Sequence, residues 1–391
     1  MSKCSAQEIY FDNSATTPVL PEVADLAVRL MCCDFGNPSA LYGRGVAAEK
    51  LLQQARATIA RSVNAAPGEI VFTSGGTEAN NTVLRGVMQA AKRRGRHIIV
   101  SEVEHPSVLQ TVEDLRSEGF EVDMLPVDEK CRVSAERLRG LLRPDTVLVS
   151  VMLVNNEVGT IQPIGELSAA IKASGGGTLL HVDAVQAYGK LPIDVRAMGI
   201  DLLSVSGHKL HAPKGVGFMY AAKGVRWLPL LTGGGQEGNR RSGTENTPGI
   251  CALGLAAELA HKNMAERDAQ VRAVRRRLLD GLAELPDWQI NGPKDGADCS
   301  LPNVLNISFA GVKSEVLLHM FEQQGLLVSS GSACAAKKDK LSHVLTAMGC
   351  SRSRIEGSIR FSFSCLNTEE EAERAAAVVC RTVSELRELL R

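Results

Sequence analysis

Six short, nearly unbroken apolar runs punctuate the chain between about residues 55 and 260. They are EIVFTS (69–74), HIIVSEVE (97–104), TVLVSVMLV (146–154), TLLHVDA (178–184), DLLSVSG (201–207) and GVGFMYAA (215–222). Longer helix-like stretches separate them, such as the one after Glu78 and IGELSAAIKAS after Pro163. A strand that is apolar on both faces must be covered on both faces. Strands that alternate with helices therefore predict an α/β fold, with a mostly parallel sheet between helical layers. After Pro248 the character changes. One long helix reads from Ile250 towards Pro286, followed by strands near NVLNISF (303–309) and SIRFSFS (358–364) and a terminal helix. This suggests a large α/β domain, 16–260, and a smaller α+β domain built from 1–15 and 261–391.

The composition excludes several function classes. With 44 basic and 44 acidic side chains, the chain lacks the basic surplus that a nucleic-acid or anionic-membrane partner demands. No stretch approaches the roughly 20 apolar residues needed to span a bilayer, and the first residues hold no apolar run of signal length. A cytoplasmic enzyme is the expectation. Ten cysteines are scattered with no CxxC among them, so neither a zinc ribbon nor a thioredoxin-type pair is indicated.

In such sheets ligands bind beyond the carboxyl ends of the strands, so the residues after each run carry the functional reading. After the first run come Gly75, Gly76 and Thr77. They suit an anion at a helix N-terminus, although a plain turn explains them as well. His105 follows the second run, where a structural histidine is the simpler reading. Asn155 and Asn156 follow the third; they form either a turn or an amide aimed at a ligand. Asp183 ends the fourth run, with Gln186 three residues on. A carboxylate there either caps a helix or holds a cation such as a pyridinium nitrogen. Ser206, His208 and Lys209 follow the fifth run. A lysine between two buried strands is suited to Schiff-base chemistry. Together these residues supply phosphate, pyridinium and aldehyde contacts, the full requirement of pyridoxal 5'-phosphate (PLP).

Two other patterns do not carry function. The glycine run 233–238 has dinucleotide spacing but leads into a polar loop instead of a helix. His208 and His211 have no companion ligands for a metal.

FDNSATTP, GNPSA, FTSGGTEANN, Glu104-His105, VNNEVGT, HVDAVQ, SGHKLHAPKG, RSGTEN and SSGSAC occur in that order. In this the chain resembles the cysteine desulfurases of the nitrogen-fixation and iron–sulfur-assembly type, a class V branch of the fold-type I PLP enzymes. The resemblance implies a seven-stranded, mostly parallel sheet, and it implies roles. Lys209 would bind the PLP aldehyde as a Schiff base, and His105 would stack on the ring and assist proton transfer. Asp183 would pair with the ring nitrogen, and Asn156 and Gln186 would bond near the ring hydroxyl. Gly76, Thr77, Ser206 and His208 would hold the phosphate, joined by Thr244 from the neighbouring subunit of a homodimer. Arg360 would grip the carboxylate of L-cysteine.

Cys334 selects among PLP chemistries. It lies in a run of small residues, with Lys337, Lys338 and Lys340 just beyond. Nearby positive charge favours a thiolate, though a solvated basic face reads the same way. In the resembling family this cysteine takes sulfur as a persulfide and passes it to an acceptor or iron–sulfur scaffold protein. It is also a candidate transient iron–sulfur ligand. Selenocysteine lyase and class V aminotransferase chemistry share the scaffold, and a non-catalytic docking scaffold is the alternative from another class. The basic stretch after Cys334 and the end of the chain at Arg391 leave the acceptor open between iron–sulfur assembly and tRNA thiolation.

Overall fold

The computed structural model describes residues 8–294, 296–330 and 341–390. A two-residue strand, β1 (Ile9–Tyr10), opens it. Seven strands then build one sheet: β2 (Ile70–Thr73), β3 (His97–Ser101), β4 (Glu121–Leu125), β5 (Thr146–Met152), β6 (Leu179–Asp183), β7 (Leu202–Ser206) and β8 (Gly217–Ala221). Their order is β2-β8-β7-β6-β5-β3-β4. All neighbouring pairs run parallel except those of β8, which is antiparallel to β2 and to β7. This is the mostly parallel α/β sheet that the apolar runs predict.

Alternate residues of each strand enter opposite cores. Ile70 and Phe72 join one cluster, with Leu52 and Ile59 of the helix Gly43–Ser62 and with Leu253 of the helix Thr247–Lys262. Val71 joins the other, with Val83 and Val87 of the helix Gly76–Ala91 and Val112 of the helix Pro106–Ser117. Strand β4 was not among the expected runs. It is a sheet edge, exposed at Glu121 and only partly buried until Leu125, so its sequence lacks the continuous apolar signal.

Beyond the large sheet lie β9 (Trp288–Asn291), β10 (Val304–Phe309), β11 (Leu326–Leu327) and β12 (Ser358–Ser362). An antiparallel sheet runs β12-β10-β9, and β11 pairs in parallel with β1. Ile9 and Phe11 share a core with Leu305, Ile307 and Phe361 and with Val271, Leu278, Val379 and Val383. Those last four come from the helices Met264–Gly281 and Glu369–Leu389. A reciprocal capping box starts the terminal helix. Thr368 Oγ1 accepts from Glu371 N at 3.2 Å, and the Glu371 carboxylate accepts from Thr368 N at 3.0 Å.

The single long helix expected from Ile250 towards Pro286 is two helices, Thr247–Lys262 and Met264–Gly281. The break falls at Asn263, with φ −112° and ψ 22°, outside helical values. The first helix serves the large core and the second the small one, so one straight rod could not bury both faces. Among the described residues no helix is long and apolar enough to cross a membrane.

Candidate active site

Parallel strands bring their carboxyl ends to one edge of the sheet, and the reversal of β8 brings its start there too. Gly217 faces Thr73 on one side and Ser206 on the other, so the Gly75-Gly76 turn and the Lys209 loop lie one strand apart. A Cβ at Gly217 would fall 2.4 Å from the Val205 carbonyl oxygen, so this close approach requires glycine.

Lys209 closes a short 3-10 turn, Gly207–Lys209, after β7. Its ammonium donates to the Ser14 carbonyl and, at 2.7 Å, to the Ala15 carbonyl. The DNSATTP segment therefore lies against the lysine, and Thr17 ties it down by donating from N and Oγ1 to the His208 carbonyl at 2.9 and 3.0 Å. Gln186 donates to the same Ser14 carbonyl at 3.0 Å and accepts from Lys190 at 3.2 Å. Burial, with Lys209, Lys214 and Lys190 nearby, pushes His208 down to about 4. It is neutral at pH 7, with Nδ1 3.1 Å from Thr16 Oγ1.

Asp183 is the last residue of β6 and only 4% exposed. Its Oδ1 accepts from Val185 N at 2.9 Å and its Oδ2 from Asn80 Nδ2 at 2.7 Å. His105 caps the helix Pro106–Ser117: its Nδ1 accepts from Ser107 N at 3.1 Å and lies 2.8 Å from Ser107 Oγ. Burial holds this imidazole below its ordinary pKa. The Asp183 carboxylate raises it, while Lys209 and His343 lower it. His105, Asp183 and Lys209 thus stand within electrostatic reach of one another.

Gly76 and Thr77 open the sixteen-residue helix Gly76–Ala91, whose N-cap, Gly75, supplies no side-chain cap. The first N–H groups of such a helix favour an anion. A Cβ at Gly76 would come within 2.6 Å of Val185 Cγ2, so this end is shaped by the loop after Asp183. Arg360 lies on β12, 2% exposed, and donates to Asp12 Oδ1 at 2.8 Å and to the Asn156 carbonyl at 3.1 Å. Thr244 does not join the group around Lys209; it is exposed on the loop before the helix Thr247–Lys262.

Cys334 lies outside the described residues, but both flanks of its segment are placed. Ser329 bridges to Arg360 through paired backbone hydrogen bonds of 2.6 and 3.1 Å. Ser342 donates to the Glu157 carboxylate at 2.6 Å, and His343 donates through Nε2 to the Glu104 carbonyl at 3.0 Å. Sequence reasoning missed Asp12, Asn80, Ser107 and the carboxyl of Glu104. Asp12, Asn80 and Glu104 sit inside motifs that carry the resemblance without any role read for them, and nothing local marks Ser107.

The model of the class V aminotransferase family matches residues 9–375. The chain belongs to that family, in its cysteine desulfurase branch. The cysteine desulfurase IscS of Methanosarcina thermophila is 44% identical over 381 residues, 97% of this chain and 93% of its own length. A solved NifS-like protein superposes with a TM-score of 0.89 at 38% identity, covering 98% of this chain and 99% of its own. SspA, solved in complex with cysteine, superposes with a TM-score of 0.79 at 34% identity, covering 90% and 98%.

Members of this family are PLP-dependent, and the residues present fit that group. An uncapped helix N-terminus is available for a phosphate, a buried carboxylate for a pyridinium and a lysine amine for an aldehyde, all at one sheet edge.

Proposed function

We propose that this chain takes sulfur from L-cysteine, releases L-alanine, and passes the sulfur through Cys334 to an acceptor protein. The convergence of Lys209, Asp183 and His105 at the strand ends carries the reading, in a chain of the desulfurase branch. Lys209 would hold the PLP aldehyde, and Asp183 its ring nitrogen. Gly76, Thr77, Ser206 and His208 would hold the phosphate, with Asn156 and Gln186 beside the ring hydroxyl. When bound, PLP supplies an electron sink for the charge left at the substrate Cα.

The protein groups do the rest. Arg360 takes the substrate carboxylate, exchanging or sharing its contact with Asp12. The Lys209 amine would accept the Cα proton, and His105 would assist proton transfer beside it. The Cys334 thiolate attacks the substrate sulfur. A new S–S bond forms as the C–S bond breaks with its electrons left on carbon. Protonation of that carbon and return of a proton from Lys209 to Cα yield alanine, and the persulfide sulfur leaves to the acceptor.

A homodimer is part of the reading. Phe35, Leu41 and Tyr42 are 62%, 97% and 65% exposed, and Leu228, Leu230 and Leu231 are also open, exposed apolar side chains that a second copy would cover. In that copy's site Thr244 would reach the phosphate. The division into a domain of 16–260 and one of 1–15 with 261–391 carrying the Cys334 segment is supported by the separate core around Ile9, Leu305 and Val379, although Leu301, Val344, Leu345, Met348 and Ile355 pack into the large core. Eight described cysteines are free, which suits a reducing cytoplasm. An iron–sulfur scaffold or tRNA-thiolation protein would receive the sulfur.

A product assay tests the reaction. Purified protein with PLP and L-cysteine should yield alanine and, with a reductant, sulfide; a keto acid in place of alanine would sink the desulfurase reading. The yellow colour of the wild type should be lost in Lys209→Ala.

A further inference from the structure

Two buried side chains outside the reaction scheme, Asn80 and Ser107, link Asp183 to His105 in a fixed order. The Asp183 carboxylate accepts only. It therefore turns the amide nitrogen of Asn80, 1% exposed on the helix Gly76–Ala91, towards its Oδ2 at 2.7 Å. The second hydrogen of that nitrogen points to Ser107 Oγ at 2.9 Å. An acceptor from Asn80, the Ser107 hydroxyl has one proton left to give, and His105 Nδ1 lies 2.8 Å away. The Ser107 backbone N–H, which can only donate, points at the same nitrogen from 3.1 Å. Two donors thus converge on Nδ1. A proton on that nitrogen would face both of them, so the neutral ring carries its hydrogen on Nε2.

We infer that Asn80 and Ser107 are positioning residues that relay the Asp183 carboxylate to His105, fixing the imidazole as the Nε2–H tautomer. His105 then faces the cofactor side as a hydrogen-bond donor through Nε2–H, with Nδ1 held as the acceptor of the two Ser107 donors. The inference rests on the reading that Asp183 and His105 face the cofactor. It adds that the two are one hydrogen-bonded unit, although they sit on different strand ends.

The test is imidazole 15N NMR of the holoenzyme, with steady-state kinetics alongside. In the wild type His105 should show a bare Nδ1 and a protonated Nε2. Ser107→Ala should move it towards mixed tautomers and lower kcat about tenfold, with KM for cysteine within roughly twofold. Ser107→Thr, which keeps the hydroxyl, should restore both. Asn80→Ala should reproduce the Ser107→Ala spectrum; if it fails to fold, the serine pair still decides. A protonated Nδ1 in the wild type overturns the inference, as does Ser107→Ala with unchanged His105 shifts and normal kcat. The tautomer is also readable without PLP. Failure of the cofactor reading would show separately, as a wild type that takes up no PLP at Lys209.

Discussion

Arg360 and Asp12, 348 residues apart in the chain, form a partly buried 2.8 Å ion pair that joins the N-terminal segment to the strand β12. The Arg360 side chain is 3% exposed, and the Asn156 carbonyl accepts from its Nη1 at 3.1 Å. In the proposed reading, a substrate carboxylate arriving here would meet a charge already oriented by Asp12 and the Asn156 carbonyl. Arg360→Lys keeps the charge but loses the planar fork. It should raise KM for cysteine roughly 10- to 100-fold, about 1.4–2.7 kcal/mol, with the PLP absorption band unchanged. Steady-state kinetics with a spectrum of the same sample check both halves.

The phosphate end of the site is predicted to be sensitive to a single methyl group. Gly76→Ala places a Cβ 2.6 Å from Val185 Cγ2, and a branched side chain beside a strand end has little room to yield. PLP titration should show affinity at least tenfold weaker, with far-UV circular dichroism retained. Adding Val185→Ala should recover part of the loss.

Glu104 gives a pH signature. Its carboxyl is fully buried, and burial, with Asp183 nearby, pushes it up to about 8 against hydrogen bonds from Ser101 Oγ and Met152 N. In the unfolded chain it ionises near 4.5. Between those values the folded state holds the proton and the unfolded state does not, so stability falls as pH rises from about 4.5 to 8. Glu104→Gln retains an oxygen acceptor and lacks this loss. Its melting temperature should gain on the wild type from pH 5 to pH 8; parallel melting curves would contradict the assignment.

The sheet, and the strand ends where most of the candidate site gathers, were legible because each signal was local. A strand covered on both faces writes itself as a continuous apolar run, and the residue after it is placed by the fold class alone. That located Gly76, His105, Asp183 and Lys209. The edge strand Glu121–Leu125 is half-exposed and reads as loop, and Asn263 breaks a helix without proline or glycine to mark it. Asp12 finds Arg360, and Asn80 finds Asp183 across 103 residues, only through tertiary packing. Asn80 in particular looks like any polar residue of a helix. Thr244 is exposed here, and its proposed role would lie at the site of a second copy.

The most direct test of the desulfurase account is mapping of added sulfur by mass spectrometry after the PLP-loaded protein meets L-cysteine. One additional sulfur should sit on Cys334 in the wild type, and none on any residue in Cys334→Ala or Lys209→Ala. Sulfur on a different cysteine, or normal sulfur transfer to an acceptor protein by Cys334→Ala, would contradict it.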